Sequence, residues 1–282
     1  MPLQTRSLRR LPIVLGTCAL LACALTAQAA DREAMLSAAV RIRYERYQDG
    51  AVITGHGTAF GADLSAWGFP GRRYLLSAAH NVLNDEGRPF TTLKIEVVDG
   101  PRTYWLGART LVFDENLDLC ILEAGDDLPV LGRLAVKDLR GGERAILAGS
   151  PRGTPVALYE GLMREPFYRG SVRSAVSVAF DHGCSGGPLY GAESGEVVGV
   201  AVAGIPKDGD MDHQLGLFVP VVGLRSFLEA HRRGPAVSSP EPVLAATRVV
   251  RPEPRVLPVE EPAPAPVVRE ETPSRPPTGR RN

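Results

Sequence analysis

Three segments of the chain carry a histidine, an aspartate and a serine in positions suited to nucleophilic catalysis. His80 follows an apolar run and the residues Ser-Ala-Ala, Asp118 opens the apolar segment Asp118–Leu122, and Ser185 lies in the glycine-rich segment Gly183–Pro188. A serine hydroxyl is a weak nucleophile until a neighbouring base accepts its proton, and histidine accepts protons near neutral pH. An aspartate beside the histidine fixes its tautomer and stabilises its cationic form. The set therefore indicates acyl transfer by Ser185, with His80 as base and Asp118 as its partner.

Each of these segments also has a structural explanation when it is taken alone. A single histidine is commonly structural, and an aspartate before a strand commonly belongs to a turn or cap. The sequence Gly-Cys-Ser-Gly-Gly-Pro at 183–188 fits a tight hairpin, because glycine adopts positive φ at little cost. Their order on one strand-rich chain makes coincidence the weaker explanation.

The elements that must position these side chains are almost all predicted strands. Alternating or continuous apolar runs separated by Gly, Asp and Pro predict a first block at residues 40–44, 51–60, 73–77, 93–98, 104–113 and 117–122. After a linker at 125–142, a second block follows at 144–147, 156–163, 175–180, 197–203 and 215–221. Two blocks of about six strands with little helix predict an all-β fold of two packed antiparallel β-barrels. One helix is predicted at Val221–Arg233, with an apolar i, i+3, i+4 face.

The two ends of the chain differ in composition from the middle. Residues 1–29 have the arginines, the apolar run and the Ala-Gln-Ala site of a cleaved secretory signal peptide, so the protein is expected to be exported to the periplasm or the extracellular space. The segment Leu20–Cys23 also resembles a lipoprotein box, which leaves a lipid anchor at Cys23 open as a second processing route. Residues 234–282 hold 12 of the 24 prolines and predict a disordered, Pro-rich tail.

Charge and composition exclude several classes of function. The 32 basic and 32 acidic side chains cancel and aromatic residues make up 6% of the chain, so nothing predicts nucleic-acid binding. No segment of the mature chain is long and apolar enough to predict a membrane span. Beyond the predicted leader only Cys120 and Cys184 remain, and both are interpreted as small buried apolar residues, with a bridge between them left open. No Cys/His spacing predicts a metal site, and no cofactor is expected.

In these motifs the chain resembles the trypsin-like serine peptidases, above all the compact bacterial branch with the HtrA-type protease domains. Family members place the histidine after Thr/Ser-Ala-Ala/Gly, the aspartate in Asp-x-Ala-hydrophobic-Leu and the nucleophile in Gly-Asn/Asp-Ser-Gly-Gly-Pro. The segments Ser77–His80, Asp118–Leu122 and Gly183–Pro188 match in order, and Gly55–Phe60 is similar to the strand before the histidine. The resemblance covers roughly residues 38–232 of a predicted domain at 34–233, and it implies the chymotrypsin fold.

The resemblance also assigns residues to the oxyanion hole and to the specificity pocket. It implies an oxyanion hole formed by the N–H groups of Gly183 and Ser185. It implies a substrate-binding wall whose members carry no charge, namely Ala179, Phe180, Val202, Ala203 and Gly204. Such a wall predicts a preference for small or medium apolar side chains before the cleaved bond.

One residue departs from the family pattern. Cys184 replaces the usual Asp or Asn before the serine, so activation through an ion pair at that position is not available. The frame of the motif still assigns the nucleophile to Ser185, because His182 rather than glycine lies two residues before Cys184.

The sequence therefore predicts a serine endopeptidase that acts on exported or envelope proteins. The alternative is a protease-fold binding or regulatory protein of the cell envelope with little or no catalytic activity. No PDZ-like domain is expected after the helix, and the sequence gives no oligomeric state.

Overall fold

The computed structural model describes residues 31–48, 51–99, 101–207 and 210–233, and the chain there is built mainly from strands. The first six strands are β1 (Ala39–Gln48), β2 (Ala51–Gly61), β3 (Tyr74–Ser77), β4 (Leu93–Asp99), β5 (Arg102–Asp114) and β6 (Leu119–Ala124). The next six are β7 (Arg144–Gly149), β8 (Ala157–Glu165), β9 (Ser174–Ser177), β10 (Pro188–Gly191), β11 (Val197–Lys207) and β12 (Asp210–Pro220). They close into two barrels with the orders β1-β2-β3-β6-β5-β4 and β10-β11-β12-β9-β8-β7. The predicted all-β fold of two six-stranded antiparallel barrels is confirmed.

In the part of the chain that the structure describes, two α-helices accompany the barrels. Residues 31–38 form α1, and Val221–Ala230 form α2. The predicted apolar face of α2 is confirmed, because Leu224, Phe227 and Leu228 are buried. The sequence does not predict α1, whose eight residues bury only Met35 and Ala38.

The strands near the site are apolar on both faces because each lies between two cores. In β3, Leu75 packs inside the first barrel while Leu76 packs in a cluster shared by both barrels. We call this shared cluster the inter-barrel core; it includes Met35, Phe60, Leu76, Ile121, Ile146, Tyr190, Val200, Val219, Leu224 and Phe227. Alternate residues of a strand face opposite sides, so a strand between two cores is a continuous apolar run rather than an alternating one.

The two cysteines of the described chain are components of these cores. Cys120 faces the interior of the first barrel and Cys184 that of the second, and both are free thiols. Their interpretation as small buried apolar residues is confirmed.

The predicted leader and the predicted Pro-rich tail lie outside the described residues. Within the described ranges, no helix combines the length and the apolar character needed to cross a bilayer. In the same ranges, no three His, Cys, Asp or Glu side chains are grouped as a metal site.

Candidate active site

Two neighbouring strands of the first barrel bring His80 and Asp118 together. His80 lies in the short 3-10 turn Ala79–Asn81 after β3, and Asp118 immediately precedes β6. Because β3 pairs with β6 in antiparallel register, the end of one strand and the start of the other lie at the same edge of the barrel.

Asp118 contacts His80 at two points. Its Oδ1 accepts the backbone N–H of His80 at 2.9 Å, and its Oδ2 lies 2.8 Å from the ring Nδ1. An ionised carboxylate only accepts hydrogen bonds, so Nδ1 carries the ring proton and Nε2 is left as the basic nitrogen. The carboxylate is shielded and the imidazole is accessible, with side-chain exposures of 15% and 47%.

The backbone of Asp118 is held in the left-handed region, with φ at +59°. Such a conformation costs about 1–2 kcal/mol for most residues, and Asp is one of the few that adopt it. The two contacts with His80, together with a hydrogen bond from the N–H of Ala79 to the Asp118 carbonyl at 3.2 Å, offset this cost.

Ser185 lies in a tight turn that immediately precedes β10. The N–H of Cys184 donates to the carbonyl of Asp181, and the N–H of Gly187 donates to the carbonyl of Cys184, each at 3.0 Å. Gly183 and Gly186 have φ of +96° and +83°, and Cβ atoms there would lie 2.4 Å and 2.1 Å from backbone oxygens. Both positions therefore require glycine, for conformation and for space.

The turn around Ser185 is attached to the segment that carries His80. Asn81, the residue after His80, donates from Nδ2 to the Ser185 carbonyl at 2.6 Å, and the N–H of Thr58 donates to the same oxygen at 2.9 Å. Among the described residues, the structure records no hydrogen bond between the Ser185 hydroxyl and the His80 ring. Such bonds are commonly long without substrate and tighten in the reacting complex. The structure thus joins His80 to Asp118 directly and to the turn of Ser185 through Asn81.

The backbone N–H groups of Gly183 and Ser185 point away from the hydrogen bonds that the carbonyls of the same peptides accept. The carbonyl of His182 accepts the N–H of Arg152 at 2.6 Å, and the carbonyl of Cys184 accepts that of Gly187. The carbonyl and N–H of a trans peptide point in opposite directions, so the N–H groups of Gly183 and Ser185 point the other way. Neither donates a hydrogen bond within the described chain. Two such N–H groups in one turn can bind an anion.

The thiol next to Ser185 is not a rival nucleophile. Cys184 is 1% exposed, and its burial raises the pKa of the thiol to about 11. The thiolate is the reactive form of cysteine, and it is not populated near neutral pH at this position.

Four residues that support the site were not singled out from the sequence. They are Thr58, Asn81, Arg152 and Asp181. Thr58 Oγ1 donates to the carbonyl of Gly183 at 2.6 Å and accepts the N–H of Ser150 at 3.0 Å. Their only sequence signal is the small-residue segment around Thr58, where Gly57 leaves room for the Asn81 side chain.

A family model described as "Trypsin-like peptidase domain" matches residues 55–200, just over half of the chain. The chain belongs to the trypsin-like peptidase family. The predicted serine-type peptidase is thereby confirmed at the level of the family.

Individual relatives agree with this assignment. A probable periplasmic serine endoprotease DegP-like from Hahella chejuensis (strain KCTC 2396) is 35% identical over 107 residues, a match that covers 34% of this chain. The chain spans about a fifth of that relative, since the match covers 21% of it. Two crystal structures of the Rv3671c protease are similar in fold. The active form, from M. tuberculosis, has TM-score 0.55 and 19% identity over 73% of this chain and 86% of its own. The inactive form has TM-score 0.55 and 17% identity over 72% and 93%.

The residues expected to line the specificity pocket of this peptidase lie on both sides of the serine turn. Phe180 is buried and meets Phe218 of β12 edge to face, with ring centroids 6.4 Å apart. Gly216 pairs with Gly204, and a Cβ on Gly216 would lie 3.1 Å from Phe180. Ala179 is exposed, Ala203 is partly buried, and the Val202 side chain packs in the inter-barrel core. Phe218 is fully buried in the core of the second barrel, and the sequence analysis singled out neither Phe218 nor Gly216.

His56 is expected to make the stability of the peptidase sensitive to acid. It lies on β2 opposite Arg43, and its Nδ1 is buried without a hydrogen-bond partner among the described residues. Burial, and then the positive charges of Arg41 and Arg43, lower the pKa of His56 below its ordinary value of 6.5. Between pH 6.5 and the lower pKa of the folded state, His56 is therefore protonated in the unfolded chain and neutral in the folded chain. Stability from this source is complete above pH 6.5 and is lost as the pH falls from 6.5 towards the folded-state pKa.

We expect the substitution His56→Gln to weaken this acid dependence. Denaturant titrations between pH 8 and pH 5 would measure the free energy of unfolding of both proteins. The variant should lose less stability than the wild type below pH 6.5, while between pH 7 and pH 8 the two should respond alike. Parallel losses down to pH 5 would contradict the assignment of this proton to His56.

Proposed function

We propose that this member of the family is a serine endopeptidase that hydrolyses peptide bonds through His80, Asp118 and Ser185. The observation that carries the proposal is the two-point contact of Asp118 with His80, on a segment hydrogen-bonded to the turn of Ser185. This arrangement leaves Nε2 as the basic nitrogen of an accessible ring, as a general base requires.

The reaction follows from these positions. His80 Nε2 accepts the hydroxyl proton as Ser185 Oγ attacks the peptide carbonyl, and a tetrahedral oxyanion forms. The imidazolium then donates that proton to the leaving amine as the C–N bond breaks, which leaves an acyl group on Ser185. A water molecule gives a proton to His80 and attacks the ester carbonyl. The bond from that carbon to Ser185 Oγ then breaks, His80 returns the proton to Oγ, and the carboxylic acid is released. Asp118 stabilises the imidazolium in both steps.

The N–H groups of Gly183 and Ser185 are proposed to bind the oxyanion. Their support is the orientation imposed by the hydrogen bonds on the neighbouring carbonyls, those of His182 and Cys184. One such donor is typically worth about 3 kcal/mol at the transition state.

We further propose that the substrates are exported or envelope proteins. The predicted leader supports export of this chain, and the similar protein from Hahella chejuensis carries a name that places it in the periplasm.

The proposal is tested by labelling the purified chain with a fluorophosphonate and by following hydrolysis of unfolded casein. Peptide mapping should locate the label on Ser185, and casein should be cleaved at internal bonds. A folded protein that neither labels nor cleaves would contradict the proposal and favour the binding or regulatory protein of the cell envelope.

The pocket is proposed to accept small or medium apolar side chains before the cleaved bond. Of the expected wall, Val202 faces the inter-barrel core, and the remaining members, Ala179, Phe180, Ala203 and Gly204, carry no charge. The ring of Phe180 also packs against Phe218 of β12. Without a buried countercharge, an ionised side chain would lose its hydration uncompensated. A library of fluorogenic peptides should show cleavage after Val or Ala at least about tenfold faster than after Arg or Asp. Comparable rates after Arg and Val would contradict it.

A further inference from the structure

Arg152 holds an unfavourable backbone conformation next to the proposed oxyanion hole. It lies in the 3-10 turn Pro151–Gly153 between β7 and β8, with φ at +51° and ψ at +27°. A side chain beyond glycine is disfavoured in this left-handed region, and such strain persists only where the surroundings enforce it. The contacts of Arg152 show what enforces it.

Arg152 holds the start of the serine turn at two adjacent residues. Its backbone N–H donates to the carbonyl of His182 at 2.6 Å, and its Nε lies 2.6 Å from Oδ2 of Asp181. The other carboxylate oxygen of Asp181 accepts the backbone N–H of His182 at 2.7 Å. Arg152 and Asp181 therefore fix the peptides on both sides of His182.

The orientation of the peptide between His182 and Gly183 determines whether the Gly183 N–H points into the proposed oxyanion hole. If it turned over, the carbonyl of His182 would occupy the place of the Gly183 N–H and would repel an oxyanion. Gly183 already has φ of +96°, and glycine offers little resistance to such a rotation. Cys184 is a neutral thiol and supplies no charge to hold the turn. An anchor outside Gly183–Ser185 is therefore required.

The turn that carries Arg152 is itself attached to the first barrel. The Arg41 guanidinium donates to the carbonyl of Gly153, and it pairs with Glu96 at 2.7 Å. This pair is well shielded, with side-chain exposures of 19% and 15%. These contacts therefore connect the Arg41–Glu96 pair of the first barrel, through the turn Pro151–Gly153, to the serine turn of the second barrel.

We propose that Arg152, together with Asp181, is a positioning residue that keeps the Gly183 N–H directed into the oxyanion hole. The proposal rests on the proposed function of that site. The Arg152 side chain is 71% exposed, and an ion pair so open to solvent contributes little to stability. Its loss should therefore lower catalysis without lowering the melting temperature.

The test compares Arg152→Gln and Asp181→Asn with the wild type. Asp181→Asn is isosteric, whereas Arg152→Gln is shorter. Each replaces a charged group by a neutral amide, so both lose the ion pair. For a chromogenic peptide with Val before the cleaved bond, kcat should fall about tenfold while KM and Tm stay near the wild-type values. Affinity for a peptidyl boronic acid, whose tetrahedral adduct places an oxygen in the hole, should fall by a similar factor. Arg152→Lys, which keeps the charge, should recover most of the loss.

Arg169→Gln is the matched control. Arg169 also has a left-handed backbone, with φ at +48°, in the corresponding position of the 3-10 turn Tyr168–Gly170. Its guanidinium lies over the ring of Tyr168 at 5.1 Å from the centroid. Wild-type kcat and boronate affinity are expected for this variant.

Hydrogen exchange of residues 181–185 provides a readout that does not depend on catalysis. Loss of the ion pair with Asp181 should accelerate exchange in this segment in Arg152→Gln, and exchange should be unchanged in Arg169→Gln. Wild-type exchange and kcat in both Arg152→Gln and Asp181→Asn would overturn the proposal, as would a fall in Tm that accounts for the lost activity. If the wild type neither cleaves nor labels, the proposed function fails, and the exchange rates still decide whether Arg152 orders the turn.

Discussion

Replacement of Ser185 by alanine is expected to lower kcat about 10⁶-fold, the loss typical of a removed serine nucleophile. The substitution deletes one oxygen and leaves the backbone contacts of residue 185 with Thr58 and Asn81 in place. The free energy of unfolding should therefore change by less than about 1 kcal/mol. Initial rates on a chromogenic peptide, with denaturant titration of the same samples, would measure both quantities.

The control for this substitution is Ser226→Ala. Ser226 is exposed on α2, and its hydroxyl donates to the carbonyl of Val222 at 3.0 Å. Wild-type rates and wild-type fluorophosphonate labelling are expected for this variant. A Ser185→Ala protein that kept even a hundredth of the wild-type rate would show that another group is the nucleophile.

The substitution Asp118→Asn is expected to lower kcat about 10⁴-fold with little change in KM. Asparagine also adopts the left-handed backbone found at φ +59°, and its amide oxygen can still accept the backbone N–H of His80. The amide nitrogen, in place of Oδ2, would donate to Nδ1 and move the ring proton to Nε2. That tautomer cannot accept the proton of Ser185.

The matched control for this substitution is Asp114→Asn, four residues earlier at the end of β5. Asp114 Oδ1 accepts the N–H groups of Asn116 and Leu117 at 2.9 Å and 3.0 Å. An asparagine oxygen can keep both bonds, so wild-type activity is expected. A proton NMR spectrum in acid should show the downfield Nδ1–H resonance in the control and lose it in Asp118→Asn. Equal losses of kcat in the two variants would contradict the role of Asp118.

The sequence predicts the barrels well because their strands face two cores. Runs such as Leu119–Leu122 contain no polar face, and this pattern separates a buried strand from an exposed one. The short β10 was missing from the predictions, since only Pro188–Gly191 pair there, after two glycines. Strand β9 was predicted to reach Phe180 but ends at Ser177. Residues 178–180 lie outside the strand, and Phe180 packs against Phe218. Strand ends depend on partners that are distant in sequence.

The supporting residues of the site could not be predicted for a related reason. His80, Asp118 and Ser185 stand in local motifs with recognisable spacing, whereas Arg152 and Asp181 meet only after β7, β8 and β9 have folded. An arginine between proline and glycine is otherwise an ordinary turn residue. Its role depends on one backbone N–H and on a carboxylate 29 positions away, and neither has a sequence signature.

The inter-barrel core has a consequence for how defects in this enzyme would be recognised. His80 and Asp118 belong to the first barrel and Ser185 to the second, while Phe60, Tyr190 and Phe227 fill the space between. A cavity in the inter-barrel core would let the two barrels shift relative to each other before either barrel unfolds. Interiors are packed tightly enough that such shifts are transmitted rather than absorbed. Substitutions far from the substrate would then lower the rate of hydrolysis, as is expected for substitutions of Ser185 and Asp118, while the circular dichroism spectrum stayed unchanged. The rate of hydrolysis is therefore a more sensitive measure of how the two barrels pack against each other than any measure of secondary structure.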